Sequence, residues 1–140
     1  MNIGRCVVFA VGVVGLLGLT GCSGGDDIAT LNRAATSDDQ LPSYVLTQDL
    51  DVDSVRQVLE HDGVSYFISK PEEDNGFCVI RTKGQDETAW GTACSTGTGK
   101  VVTNQTTGIP EVVTLVTDGY ATDDLEEEGW TKIQENLLIR

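Results

Sequence analysis

The stretch FCVIRTKGQDETAWGTACS, residues 77–95, decides the fold. Phe77–Lys83 and Thr88–Ser95 are rich in apolar and β-branched side chains, which are stiff at their first torsion and pack well on a pleated surface. The polar, glycine-led segment Gly84–Glu87 between them reads as a turn. If Cys78 faces Cys94, then Ile80 faces Thr92, Thr82 faces Trp90 and Gly84 faces Thr88. The loop then closes on Gln85, Asp86 and Glu87. One antiparallel register thus satisfies both a disulfide and a turn. Closing a loop of this size stabilises a fold by about 3 kcal/mol in the chain-entropy model.

The segments on either side read in the same way. His61-Asp62-Gly63-Val64 holds an Asp-Gly pair between apolar segments, a hairpin signal. Val64, Tyr66 and Ile68 alternate behind it, as a half-buried strand requires. Residues 54–60 fit two patterns: Val55, Val58 and Leu59 lie on one helix face with Ser54 and Gln57 as a capping box, or Leu59 pairs with Tyr66 across the hairpin. The hairpin is favoured. Further on, Pro71–Gly76 is an acidic loop, Thr96–Gly99 a turn and Lys100–Asn104 a short strand. Thr107–Pro110 breaks the chain. Glu111–Thr117 is a buried strand, Asp118-Gly119 a turn, and Asp123–Gly129 an acidic loop or one helical turn. Trp130–Ile139 is expected to return as a last strand with Ile133, Leu137 and Ile139 on one face, although Trp130, Ile133 and Leu137 also fit a helix. Six or seven strands of this kind predict a mainly β, antiparallel domain, a meander, sandwich or barrel-like sheet stapled by one disulfide. A domain of about 100 residues buries a limited core, so the bridge matters to its stability.

The N-terminus speaks to location. Met1–Arg5 carries one basic side chain. Cys6–Thr20 is an apolar run of 15 residues, shorter than the roughly 20 that span a bilayer. Together they have the form of a secretory signal. The run ends in Leu19-Thr20-Gly21-Cys22, which resembles the lipobox of bacterial lipoproteins at all four positions. The resemblance implies that residues 1–21 are a cleaved leader. It implies that the Cys22 thiol receives a diacylglycerol, and that the mature chain is held by palmitate-type acyl chains on the outer face of the cell membrane. Two chains hold stably where one holds only marginally. Residues 22–40, rich in Ser, Gly, Asp and Ala, are expected to form a lipidated flexible tether with a mean reach of roughly 23 Å, a short helix over Ile28–Ala35 being the alternative. Leu41-Pro42 marks the boundary of an extracytoplasmic domain, residues 41–140, since the residue before proline leaves helical conformation. With Cys6 in the leader and Cys22 acylated, Cys78 and Cys94 remain as an even pair in an oxidising compartment.

From Leu41 to Arg140 the chain is also similar to small actinobacterial lipoproteins. The likeness rests on Leu41-Pro42, Asp53-Ser54-Val55-Arg56, Cys78-Val79-Ile80, Trp90 before Cys94, Asp118-Gly119-Tyr120 and Asn136-Leu137-Leu138. It implies a Gram-positive type of envelope and no particular activity.

Charge and motifs narrow the function classes. The full chain carries 9 basic and 22 acidic residues, a net −13. Losing Arg5 with the leader makes the mature chain one charge more negative. Such a surface repels nucleic acid and anionic head groups and suits a cationic or protein partner. The sole histidine, His61, sits beside a hairpin turn, and no G-x-S-x-G motif accompanies it. Enzymatic activity is therefore not expected, nor is a cofactor. Asp49, Asp51, Asp53 and Glu60 occupy positions 1, 3, 5 and 12 of a calcium-loop pattern, which makes them a candidate calcium set. Ser54 stands where that loop needs glycine, and Arg56 adds a positive charge. Gly97-Thr98-Gly99-Lys100 matches part of a phosphate loop but lacks the upstream glycine and the following Ser or Thr, so it reads as a turn. A non-enzymatic binding or envelope-interaction domain is the leading expectation. A structural or accessory surface protein comes next, and a carboxylate-based hydrolase last.

Overall fold

The computed structural model describes residues 25–140. Its strands are β1 (Leu50–His61), β2 (Val64–Pro71), β3 (Phe77–Lys83), β4 (Trp90–Ser95), β5 (Lys100–Thr106), β6 (Ile109–Val116), β7 (Thr131–Gln134) and β8 (Leu137–Ile139). They form two four-stranded antiparallel sheets, ordered β1-β2-β3-β4 and β5-β6-β8-β7. A single helical turn, α1 (Asp123–Glu127), lies between β6 and β7.

The β1–β2 turn is made by Asp62 (φ 50°) and Gly63 (φ 76°). Two successive left-handed residues give a reversal whose twist matches that of the flanking strands. Leu59 pairs with Tyr66, so residues 54–60 are strand and not helix. In β3–β4, Cys78 pairs with Cys94, Ile80 with Thr92 and Thr82 with Trp90, and the disulfide is formed. The loop is longer than the expected closure on Gln85–Glu87. Strand β4 begins at Trp90, and the Asp86 carboxylate accepts from the Thr88 amide (2.9 Å) and hydroxyl (2.6 Å). That side-chain turn withdraws Thr88 from the ladder.

Three apolar layers hold the sheets. The central one lies between them and joins Val64, Tyr66, Ile68 and Val79 of the first sheet to Val101, Val113, Leu115 and Leu137 of the second. The outer face of the first sheet buries Phe67, Cys78 and Ile80 under the segment that carries Val45 and Leu50. The outer face of the second buries Val116 and Leu138 under Leu125 and Trp130. Residues 77–82 of β3 are therefore all buried, as expected of a strand covered on both faces.

Arg81 continues the inward parity of Phe77 and Val79 and is fully buried between the sheets. Its guanidinium donates to the carbonyls of Glu111 (2.6 Å) and Asn104 (3.0 Å), to Asn104 Oδ1 (2.9 Å) and to Thr106 Oγ1 (2.8 Å). One side chain of the first sheet thus satisfies acceptors on two strands of the second. Gly91, paired with Arg81, permits the approach, because a Cβ there would lie 2.5 Å from Thr106 Oγ1.

The structure departs from two further expectations. Trp130–Ile139 is not one strand but the β7–β8 hairpin, reversed at Glu135-Asn136. Asn136 is buried and its amide donates to Val116 O (3.1 Å) and Asp118 Oδ1 (2.7 Å). The turn is made by these partners from β6 and the loop after it rather than by a glycine. The tether expected over residues 22–40 is also too long. Ile28 and Leu31 stand three apart across one 3-10 turn and enter the central layer. The Arg33–Asp39 pair then fastens the next segment. Sparse apolar content misleads here, because two side chains three residues apart suffice to dock a short turn. Among the described residues no helix is long and apolar enough to cross a membrane.

Candidate functional site

The segment 41–50 crosses the outer face of the first sheet, and two open grooves flank it. One, of about 480 Å³, is lined by Thr36, Leu41, Thr47, Val52 and Val55 among others. The other, of about 540 Å³, is lined by Leu46, Leu50, Trp90, Thr92 and Cys94 among others. Thr47 lines the first groove while Leu46 and Gln48 line the second, so this segment is the ridge between them. Leu46 is 64% exposed and Val52 55%. Among the described residues these are the exposed large apolar side chains, and their placement beside concave surface makes this face a candidate for receiving another molecule.

The local structure explains why Val52 points outward. Four residues of β1, Val52–Val55, stand opposite the single residue Ser69 of β2. Ser54 bridges this bulge, donating to Asp51 O (2.6 Å) and accepting from the Lys70 amide (2.7 Å). Arg56 steadies it from the other side with bonds to the carbonyls of Arg33 (2.9 Å), Asp53 (2.8 Å) and Val55 (2.7 Å). A bulge of this kind re-aims side chains and bends the strand. At the groove's rim, Asp39 accepts from Arg33 (2.6 Å), the Thr36 amide (2.6 Å) and the Gln57 amide (2.7 Å). The Arg33 guanidinium above all, aided by the two amides, holds the Asp39 carboxyl well below the usual carboxylate range.

The candidate calcium set does not converge. Asp51, Asp53 and Glu60 lie along one strand, and the seven residue steps from Asp53 to Glu60 span roughly 23 Å at strand rise. Among the described residues no group of three or more His, Cys, Asp or Glu side chains is placed to hold a metal ion. An extended backbone cannot wrap a cation as a loop does, so Asp51, Asp53 and Glu60 form no calcium loop. His61 Nε2 lies 3.4 Å from Asp62 Oδ2 on the surface. Two amides of the Gly97–Lys100 turn are engaged within the protein, Gly97 with Ser95 Oγ (3.3 Å) and Gly99 with Thr117 Oγ1 (3.0 Å), and the segment is a turn between β4 and β5. Cys22 lies outside the described residues.

Leu46 and Val52 escape a reading of the sequence. A lone leucine in a loop and a valine in a strand are ordinary core residues until a bulge turns one outward. Only the irregular Asp51-Val52-Asp53-Ser54 run, polar on both sides of a valine, carries a signal of the outward turn. No family model, curated protein or solved structure matches the chain.

Proposed function

We propose that the chain is an extracytoplasmic lipoprotein, anchored through acylated Cys22, whose disulfide-stapled β domain binds a partner and does not catalyse a reaction. The observation that carries this reading is the pairing of the Leu19–Cys22 motif with a bonded Cys78–Cys94 pair in the domain that follows. Structural disulfides persist in oxidising compartments, and the N-terminal motif supplies both export and retention. The exposed Leu46 and Val52 beside the two grooves support binding as the domain's task, with the acidic surface favouring a cationic or protein partner over nucleic acid.

Intact-mass measurement of protein extracted from the membrane fraction tests the anchor. A chain beginning at Cys22 and bearing acyl mass is expected. Cys22→Ala should leave the membrane fraction or retain its leader. An unacylated wild-type chain that fractionates like the Cys22→Ala variant would refute the reading.

A further inference from the structure

The domain has two distinct ends. At one, the backbone of Gly25 donates to Asp118 O (2.7 Å) and Asp118 donates to Asp27 O (3.0 Å). The Gly97–Gly99 turn joins the same cluster, since Thr117 donates to Gly99 O (2.8 Å). A cleft lined by Asp26, Asp27, Asp74, Gly76 and Thr96 brings the 72–76 loop to this end as well. At the other end are three chain reversals: Asp62-Gly63, the Gly84–Ala89 loop and Thr107-Gly108. The last two touch, for a Cβ on Gly108 would lie 2.8 Å from that of Ala89. Strand β3 runs from one end to the other and sets their separation at about 20 Å.

Chain length makes this asymmetry consequential. Docking of Gly25 to Asp118 and of Ile28 in the core leaves three peptide steps between Cys22 and the folded domain. Those steps reach at most about 11 Å, against the roughly 20 Å to the far turns. We infer that the anchored domain stands on the bilayer on its Gly25–Asp118 end. The three turns at Asp62-Gly63, Gly84–Ala89 and Thr107-Gly108 then form its outermost surface, presented to molecules beyond the membrane. This orientation rests on the lipid-anchor reading. The seated end carries Asp26, Asp27, Asp51, Asp74 and Asp118, with Lys70 among them. It lies within about one screening length, near 8–10 Å, of the head groups. The short link holds it at the lipid surface, and its charge keeps it from inserting.

The test uses isotope-labelled protein purified from membranes with its lipid, placed in nanodiscs that contain a nitroxide-headgroup phosphatidylcholine. Paramagnetic broadening is read at each amide. The amides of Gly97, Gly99 and Gly119 should broaden about tenfold or more beyond those of Gly63, Thr88 and Gly108, given the steep distance dependence over the roughly 20 Å between the ends. A flexible Gly-Ser insert of about ten residues between Gly24 and Gly25 has, with the native link, a mean reach near 20 Å and should bring the ratio close to one. Equal broadening at both ends of the native protein overturns the orientation. So does strongest broadening at Val45–Gln48, which would lay the domain on its side, or a ratio unmoved by the insert. Protein whose mass lacks acyl chains refutes the anchor and the orientation together, whereas acylated protein with the wrong pattern refutes the orientation alone.

Discussion

The two sheets are built on different principles. The first is a meander in which every neighbour in space is a neighbour in sequence, and its strands are joined by short local turns and by the Cys78–Cys94 bridge. The second has the order β5-β6-β8-β7 and ends in strands of four and three residues. Its last hairpin is held from outside: by Asn136 on Val116 and Asp118, and by Trp130, with the Arg140 guanidinium 4.6 Å from its ring centroid. Turn chemistry and covalent closure act over a few residues and need little else. A sheet of short, non-sequential strands must draw its stability from contacts made late, after distant segments have met. The first sheet can therefore form locally, whereas the β8–β7 end of the second depends on contacts with distant segments.

Arg81 is where this dependence is most exposed to test. Replacing it with Met keeps the volume but strands the carbonyls of Glu111 and Asn104 and the Thr106 hydroxyl between the sheets. A loss of about 3–4 kcal/mol is expected in urea unfolding, since each buried group left unpaired costs about 1–3 kcal/mol. A loss under about 1 kcal/mol would mean that the sheets do not rely on this link. The bridge comes next. Replacing both Cys78 and Cys94 by Ala should cost about 3 kcal/mol. Hydrogen exchange should accelerate first at β3–β4; equal acceleration in β7–β8 would contradict the local character of the first sheet.

Asp39 joins the N-terminal segment to β1 through the Gln57 amide and should cost about 2 kcal/mol as Asp39→Asn. Its folded carboxyl titrates below its unfolded value. The stabilisation is then fully present above the unfolded carboxylate range near 4 and is lost as pH falls through the folded value. Thermal melts of wild type from pH 6 to pH 2 should show a steeper acid limb than those of the Asn variant; parallel limbs would rule out this role. The smallest effect is expected at Leu46 and Val52. Their replacement by Ser should change stability by no more than about 0.5 kcal/mol while reducing partner capture by crosslinking on intact cells. A clear loss of stability would make them packing residues and remove the candidate site.

The same contrast runs through what could be read in advance. The β1–β2 and β3–β4 hairpins were legible because an Asp-Gly pair, two β-branched runs and two cysteines all lie within short spans. The β7–β8 hairpin was not, because nothing within Trp130–Ile139 marks its turn; the partners of Asn136 are far away in sequence. The candidate site was legible least. The spacing of Asp49, Asp51, Asp53 and Glu60 suggests a loop, whereas pairing with β2 spreads Asp51, Asp53 and Glu60 along a bulged strand.

What residue order determines alone is whatever rests on neighbours along the chain: extended segments from alternation and β-branching, reversals from Asp-Gly and glycine, the register that sets Cys78 against Cys94, and the charge. Tertiary structure decided which strands share a sheet, that Ile28 and Leu31 leave an otherwise polar segment for the core, that Arg81 lies between two layers, and that Leu46 and Val52 stay in water. Those outcomes depend on which distant surfaces meet. Burial is a property of the pair of surfaces and cannot be read from either one.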